Sequence, residues 1–205
     1  MTFNPTSLIE RAATLSIKNN NLPNSNKLVE SLLKAEKIAK KNKDTGSFSD
    51  LIGTWNLRFI TGTKKSRKRA GIALGAGKYI PQLLKIEITY QPDRQQKVNL
   101  GRVTNTVRFG FIAFSLSGPV RFIPRRNILA FDFTVMKIKI FGKSICDGYI
   151  KDGAHRESQF YTQKIARQAF FTYFLVQDNF IAARGKGGGL ALWVKNQNSS
   201  PKQNK

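Results

Sequence analysis

Apolar and polar positions alternate with a period of two along most of this chain, and the N-terminal segment is the main departure from that rhythm. Trp55, Leu57 and Phe59 alternate with Thr54, Asn56 and Arg58, and the same pattern returns at Leu84, Ile86, Ile88 and Tyr90 and at Val107, Phe109 and Phe111. Side chains on an extended backbone point to opposite faces in turn, so these segments read as strands. Residues 120–123, 128–141, 144–150 and 158–164 are predicted as further strands, punctuated by Gly118-Pro119, Pro124, Gly142 and Gly153. The last pair lies within 169–195, AFFTYFLVQDNFIAARGKGGGLALWVK, where Gly185 and Gly187 to Gly189 supply the hairpin turn. Both faces of that pair are apolar, so it lies under another layer or lines a cavity. Many short strands of this kind predict a mainly β protein, an antiparallel barrel in preference to a sandwich.

Helical periodicity occurs only ahead of these strands. Residues 6–20 read as a short helix with Thr6 or Ser7 as N-cap and Leu8, Ala12 and Leu15 near one face. A second helix is expected from Ser25 to Lys41, with Leu28, Leu32, Ala35, Ile38 and Ala39 as its apolar stripe and lysines around the rest. It packs on the domain or lies on an anionic membrane surface. Residues 62–78 interrupt the strands as a long loop holding Lys64, Lys65, Arg67, Lys68 and Arg69, a like-charge run that favours exposure. The predicted organisation is a helical extension over 1–47, a barrel over 48–196 and a disordered tail over 197–205.

Composition adds a partner to this picture. The 205 residues carry 35 Lys and Arg against 12 Asp and Glu, a net charge of +23 that calls for a polyanionic neighbour, either anionic lipid or nucleic acid. Hydrophobic residues make up 40% of the chain and include 15 Phe, enough for one sizeable core. No apolar run approaches the ~20 residues of a membrane-spanning helix, and the N-terminus has no secretory pattern. The single cysteine, Cys146, rules out an intrachain disulfide, fits a reducing compartment and is expected to be buried.

Motifs for catalysis or cofactor binding fail on inspection. A phosphate-binding loop ending at Gly77-Lys78 would need glycine where Ile72 stands and a hydroxyl where Tyr79 stands. Gly75 and Gly77 lack the third glycine of a dinucleotide fold, because position 80 is Ile. One histidine, His155, and one cysteine cannot form a zinc cluster, and the neighbourhood DGAHRES reads as a turn between strands. No cofactor, metal or enzymatic activity is expected. Asp132, within LAFDFTV, and Asp178 follow apolar runs; each points outward, pairs with Arg184, Arg121 or Arg126, or touches a ligand inside the barrel.

The Gly53-Thr54-Trp55 opening of the first long strand is similar to the start of lipocalin-type barrels. Together with Phe171-Thr172-Tyr173-Phe174-Leu175, Asp178, Arg184-Gly185 and Leu190 to Lys195, it resembles the plastid lipid-associated protein family, also called fibrillins. The resemblance implies a lipocalin-like barrel with N-terminal helices, binding of a carotenoid, quinone or lipid, and a cyanobacterial source. It also implies a cytoplasmic protein peripheral to thylakoids or lipid globules. Candidate ligand contacts are Trp55, Phe59, Ile86, Phe109 and Phe131, with Phe133, Tyr173, Asp178 and Trp193. The cluster from Lys64 to Arg69 is the candidate membrane or polyanion contact. Arg184 is expected to stack on Trp55 as a lock across one end of the barrel, so that loss of either destabilises the fold by a few kcal/mol. The alternative function is a nucleic-acid-binding basic barrel whose aromatics stack on bases.

Overall fold

A computed structural model describes residues 5–16, 21–62, 77–93, 95 and 97–196. Among these residues the chain forms eleven strands and three helices: α1 (Pro5–Thr14), α2 (Ser25–Asn42), β1 (Gly53–Thr61), β2 (Gly77–Tyr79), β3 (Leu84–Pro92), β4 (Leu100–Phe109), β5 (Ile112–Ile123), β6 (Ile128–Phe131), β7 (Val135–Ile140), β8 (Lys143–Tyr149), α3 (Gly153–Gln159), β9 (Ala169–Val176), β10 (Phe180–Gly185) and β11 (Leu190–Lys195). Strand neighbours follow the order β4-β3-β1-β11-β10-β9-β6-β5, and the β4–β5 pairing closes the circuit. The result is a closed antiparallel barrel of eight strands, which leaves those strands no free edge where they close.

Two additions change this barrel. β2 pairs with the end of β1, and β7 and β8 continue outward from β5. β5 is long enough to serve both assemblies: Val120 to Ile123 pair with β6 in the barrel, while Ile112 to Ser117 pair with β7 outside it. The handover falls at Gly118, where a Cβ would lie 2.1 Å from the Asp132 carbonyl oxygen. Thus β3, β4, β5, β7 and β8 form a blade that projects past one end of the barrel. The expectation of a strand break at Gly118-Pro119 is corrected, since β5 runs through it.

Packing has two layers. Inside the barrel, Leu51, Trp55, Ile88, Tyr90, Val103, Phe122, Leu129, Tyr173, Ile181 and Trp193 are buried together. Outside it, α1 and α2 cover β1, β9, β10 and β11 through Ile9, Ala12, Leu28 and Leu32 against Phe59, Phe180, Ala182, Leu190 and Leu192. Covering both faces accounts for the doubly apolar pattern of the last hairpin. The first helix ends at Thr14, short of the expected residue 20. In α2, Leu28, Leu32 and Ala35 are buried, whereas Ile38 is exposed. The Asn24 side chain caps α2 by accepting from the Asn26 and Lys27 amides.

Other expectations are corrected. Residues 158–164 form no strand; α3 occupies Gly153–Gln159 and carries the exposed His155. Cys146 is exposed on β8 instead of buried. Asp132 pairs with Arg156 of α3, not with Arg121, Arg126 or Arg184, and its Oδ2 accepts from Arg156 Nε at 2.9 Å. Glu157 of the same helix accepts from Arg102 Nη1 at 2.8 Å and from the Thr134 hydroxyl. These charge pairs fasten α3 across the base of the blade.

Candidate functional site

The two ends of the barrel differ: one is closed by a plug, and at the other, the open end, β1 and β3 part. At the closed end a short 3-10 turn, Ser49–Leu51, plugs the interior, and the fully buried Trp55 donates its indole N–H to the Leu51 carbonyl at 2.8 Å. Gly53, at φ +127°, takes a backbone conformation that L side chains rarely adopt, just before this tryptophan. The cation over the Trp55 ring is Lys195, with Nζ 5.2 Å from the centroid. Arg184 therefore does not act as the expected lock. It lies on the helix side of β10, where its guanidinium forks onto the buried Glu36 carboxylate of α2, and it also donates to the Gly188 carbonyl at 2.8 Å.

From the plug, aromatic rings run toward the open end. Tyr90 and Tyr173 share a buried hydroxyl–hydroxyl hydrogen bond of 2.7 Å. Burial raises both phenol pKa values, so the pair stays neutral at physiological pH. Beyond them, Trp193 meets Phe171 edge-on at 5.4 Å, Phe171 stacks on Phe131 at 5.0 Å, and Phe131 meets Phe133 at 5.3 Å. Phe133, Phe171 and Leu57 are only partly buried, whereas Trp55 and Tyr173 are closed off by protein.

At the open end the apolar lining continues beyond the barrel. β1 and β3 pair only from Gly53↔Tyr90 to Asn56↔Glu87, and past that point β1 pairs with β2 instead. Where the strands part there is a groove of about 370 Å3 lined by Leu57, Ile80, Leu84 and Ile86, by the polar Asn56, Arg58, Gln82 and Lys85, and from the helix side by Ala13 and Val194. Strand register then places Ile88, Asn105, Leu116 and Met136 in one row across the blade, Ile86, Val107, Phe114 and Ile138 in the next, and Leu84, Phe109, Ile112 and Ile140 in the outermost. These rows share the face of Tyr90 and Val103, which are buried in the barrel interior. One apolar surface thus passes from the aromatic interior onto the blade, with Asn105 as a polar position within it.

The reverse face of the blade is polar. Arg102, Thr104, Thr106 and Arg108 of β4 lie beside Ser115 and Ser117 of β5 and Lys137 and Lys139 of β7, and together with the apolar Phe111, Val135 and Phe141 they line a groove of about 790 Å3. Several of its cations are already held by carboxylates: Arg108 by Glu87, Lys137 by Asp147 at 2.5 Å and Arg102 by Glu157 at 2.8 Å.

The sequence-derived contacts divide accordingly. Trp55, Phe131, Phe133, Tyr173 and Trp193 all belong to the interior aromatic system, and Ile86 lines the opening. Phe59 does not: a register shift between Leu57 and Phe59 turns it outward, onto the helices and 5.0 Å from Tyr79. Phe109 is at the blade tip. Asp178 is exposed in a polar cleft at the closed end, with Asp44, Asp50 and Lys195, and is no part of the interior. Lys64, Lys65, Arg67, Lys68 and Arg69 lie outside the described residues. Leu57, Leu116 and Met136 were missed, because the blade that carries the latter two depends on a strand exchanging partners. No described helix is long and apolar enough to cross a membrane, and no group of metal-binding side chains occurs among the described residues. No family model matches the chain, and neither does any curated protein.

Proposed function

We propose that this protein is a non-catalytic binder or carrier of an apolar molecule, held peripherally at an anionic membrane. The observation that carries the reading is the continuity of the half-exposed apolar rows from the barrel opening to the aromatic interior. A groove of about 370 Å3 at the opening falls within the size of small-molecule sites. Leu57, Ile86 and Phe133 would touch the ligand first, and Asn105 is placed to meet a polar head.

Kinship with plastid lipid-associated proteins and a lipocalin-like character belong to the same proposal. Support for them is the Gly53-x-Trp55 opening with its plugged end, together with the covering N-terminal helices. A carotenoid, quinone or acyl lipid at a thylakoid surface is the ligand class that follows. The net charge of +23 supports an anionic surface as partner. Nucleic acid ranks second, because carboxylates already hold Arg102, Arg108 and Lys137 in the polar groove. Organic extraction and mass spectrometry of protein purified from its native cells tests the proposal. A stoichiometric apolar compound is expected; its absence, with a steeply salt-dependent affinity for single-stranded nucleic acid, would reverse the ranking.

A further inference from the structure

Two hairpin tips at the end of the blade expose a concentration of apolar side chains. β4 and β5 turn at Gly110-Phe111, and β7 and β8 turn at Phe141-Gly142. Phe109 is 63% exposed, Phe111 55%, Phe141 73% and Ile145 65%, and Ile112 beside them is also exposed. The tips are tied together: the Phe141 amide donates to the Phe111 carbonyl at 2.9 Å, and the two rings stack at 4.2 Å with an interplanar angle of 2°. Exposed apolar side chains scattered singly need no explanation, whereas a contiguous group marks an interaction site.

Phe141 is costly for the turn that holds it. Its φ of +48° and the +77° of Gly142 are the left-handed pair of a two-residue hairpin turn, where Asn or Gly is favoured and a bulky side chain is an outlier. An exposed phenylalanine held in that conformation points to a role in contact. Charge names the contact. Residues 107–116 and 135–146 contain Arg108, Lys137, Lys139 and Lys143 and no Asp or Glu. Lys139 and Lys143 are exposed and carry no ion pair among the described residues.

We propose that the paired tips form a membrane-docking wedge, with Phe111 and Phe141 entering the interface of an anionic bilayer and Lys139 and Lys143 meeting its headgroups. Aromatic residues suit that depth, and each basic residue near an anionic leaflet strengthens attachment roughly fivefold. Thr61 and Gly77 pair at the same end of the barrel as the tips. Docking by the tips would bring the barrel opening to the lipid surface. This inference rests on the membrane part of the proposed function and adds the surface that performs it.

The test is co-sedimentation of the full chain with phosphatidylglycerol or phosphatidylcholine vesicles, comparing wild type, Phe141→Asn, Phe111→Ser/Phe141→Asn and Lys139→Gln/Lys143→Gln. Asn fits the left-handed turn, so Phe141→Asn is expected to keep or raise the melting temperature while weakening vesicle binding. The double aromatic variant is expected to bind about tenfold or more weakly. The lysine variant is expected to lose its preference for the anionic vesicles. A fluorophore on Cys146, the only cysteine, two residues from the outermost row, is expected to shift to the blue on binding. Wild-type binding that the aromatic substitutions leave unchanged would overturn the wedge and spare the membrane reading. Failure of wild type to bind anionic vesicles would overturn both. Self-association of wild type that Phe141→Asn abolishes would overturn the wedge by assigning the tips to a second copy of the chain.

Discussion

Arg184 has the clearest energetic consequence of any single side chain, because its partner Glu36 is almost fully enclosed between α2 and the barrel. Burial alone would raise the Glu36 pKa, but Arg184 and Lys40 outweigh it and hold the carboxyl below its ordinary 4.5. A carboxylate lowered on folding stabilises the protein above its unfolded pKa, and that contribution is lost as pH falls through the folded value. Arg184→Ala is therefore expected to cost about 2–3 kcal/mol near neutral pH, chiefly by leaving a buried charge with only Lys40, and less in acid, as pH falls through the lowered folded value. Urea denaturation at neutral and at acid pH measures this. Equal costs at both would show that Arg184 acts through something other than the Glu36 charge. Trp55 has its own cation in Lys195, which comes from β11, the strand next to the one that carries Arg184.

At the scale of elements, β1 decides which aromatic faces the barrel interior and which faces the helices. The bulge near Arg58 adds one residue and reverses the side on which Phe59 falls. Phe59→Ala is expected to destabilise the fold by about 3–5 kcal/mol, as for any well-packed buried aromatic, while leaving affinity for an apolar ligand unchanged. Denaturation and ligand titration on the same variant test both halves, and lost affinity in a folded variant would place Phe59 at the site after all. The strands were legible because alternation is dictated by the backbone. The bulge was not, because helices cover the outer face of β1 and an outward Phe continues the apolar pattern unchanged. Gly118-Pro119 misled for a related reason: it reads as a turn, yet it sits where β5 changes partners and a ladder donor is dispensable. α3 was hidden by its brevity and by its charge pairs to Arg102 of β4 and to Asp132 just after β6, both distant in sequence. Of the candidate site, the interior aromatics were readable from their runs, whereas the opening depends on β1 and β3 parting, which only the pairing reveals.

For the whole molecule, the arrangement is directional. The plugged end gathers Trp55, the short turn at Ser49–Leu51 and the polar cleft with Asp178. At the opposite end lie the barrel opening, the aromatic tips and the pairing of Thr61 with Gly77. A binder that exchanges an apolar molecule with a membrane needs its opening and its docking surface on the same side. The central claim is that the opening admits such a molecule. Its most direct measurement is a titration with a conjugated polyene fatty acid, read by energy transfer from Trp55 and Trp193. Saturation at a single site per chain is expected, with affinity falling about tenfold or more in Leu57→Arg, whose partly exposed position tolerates the charge on folding but sets it in the opening. Transfer that never saturates, or a Leu57→Arg variant that binds as tightly as wild type, would contradict it.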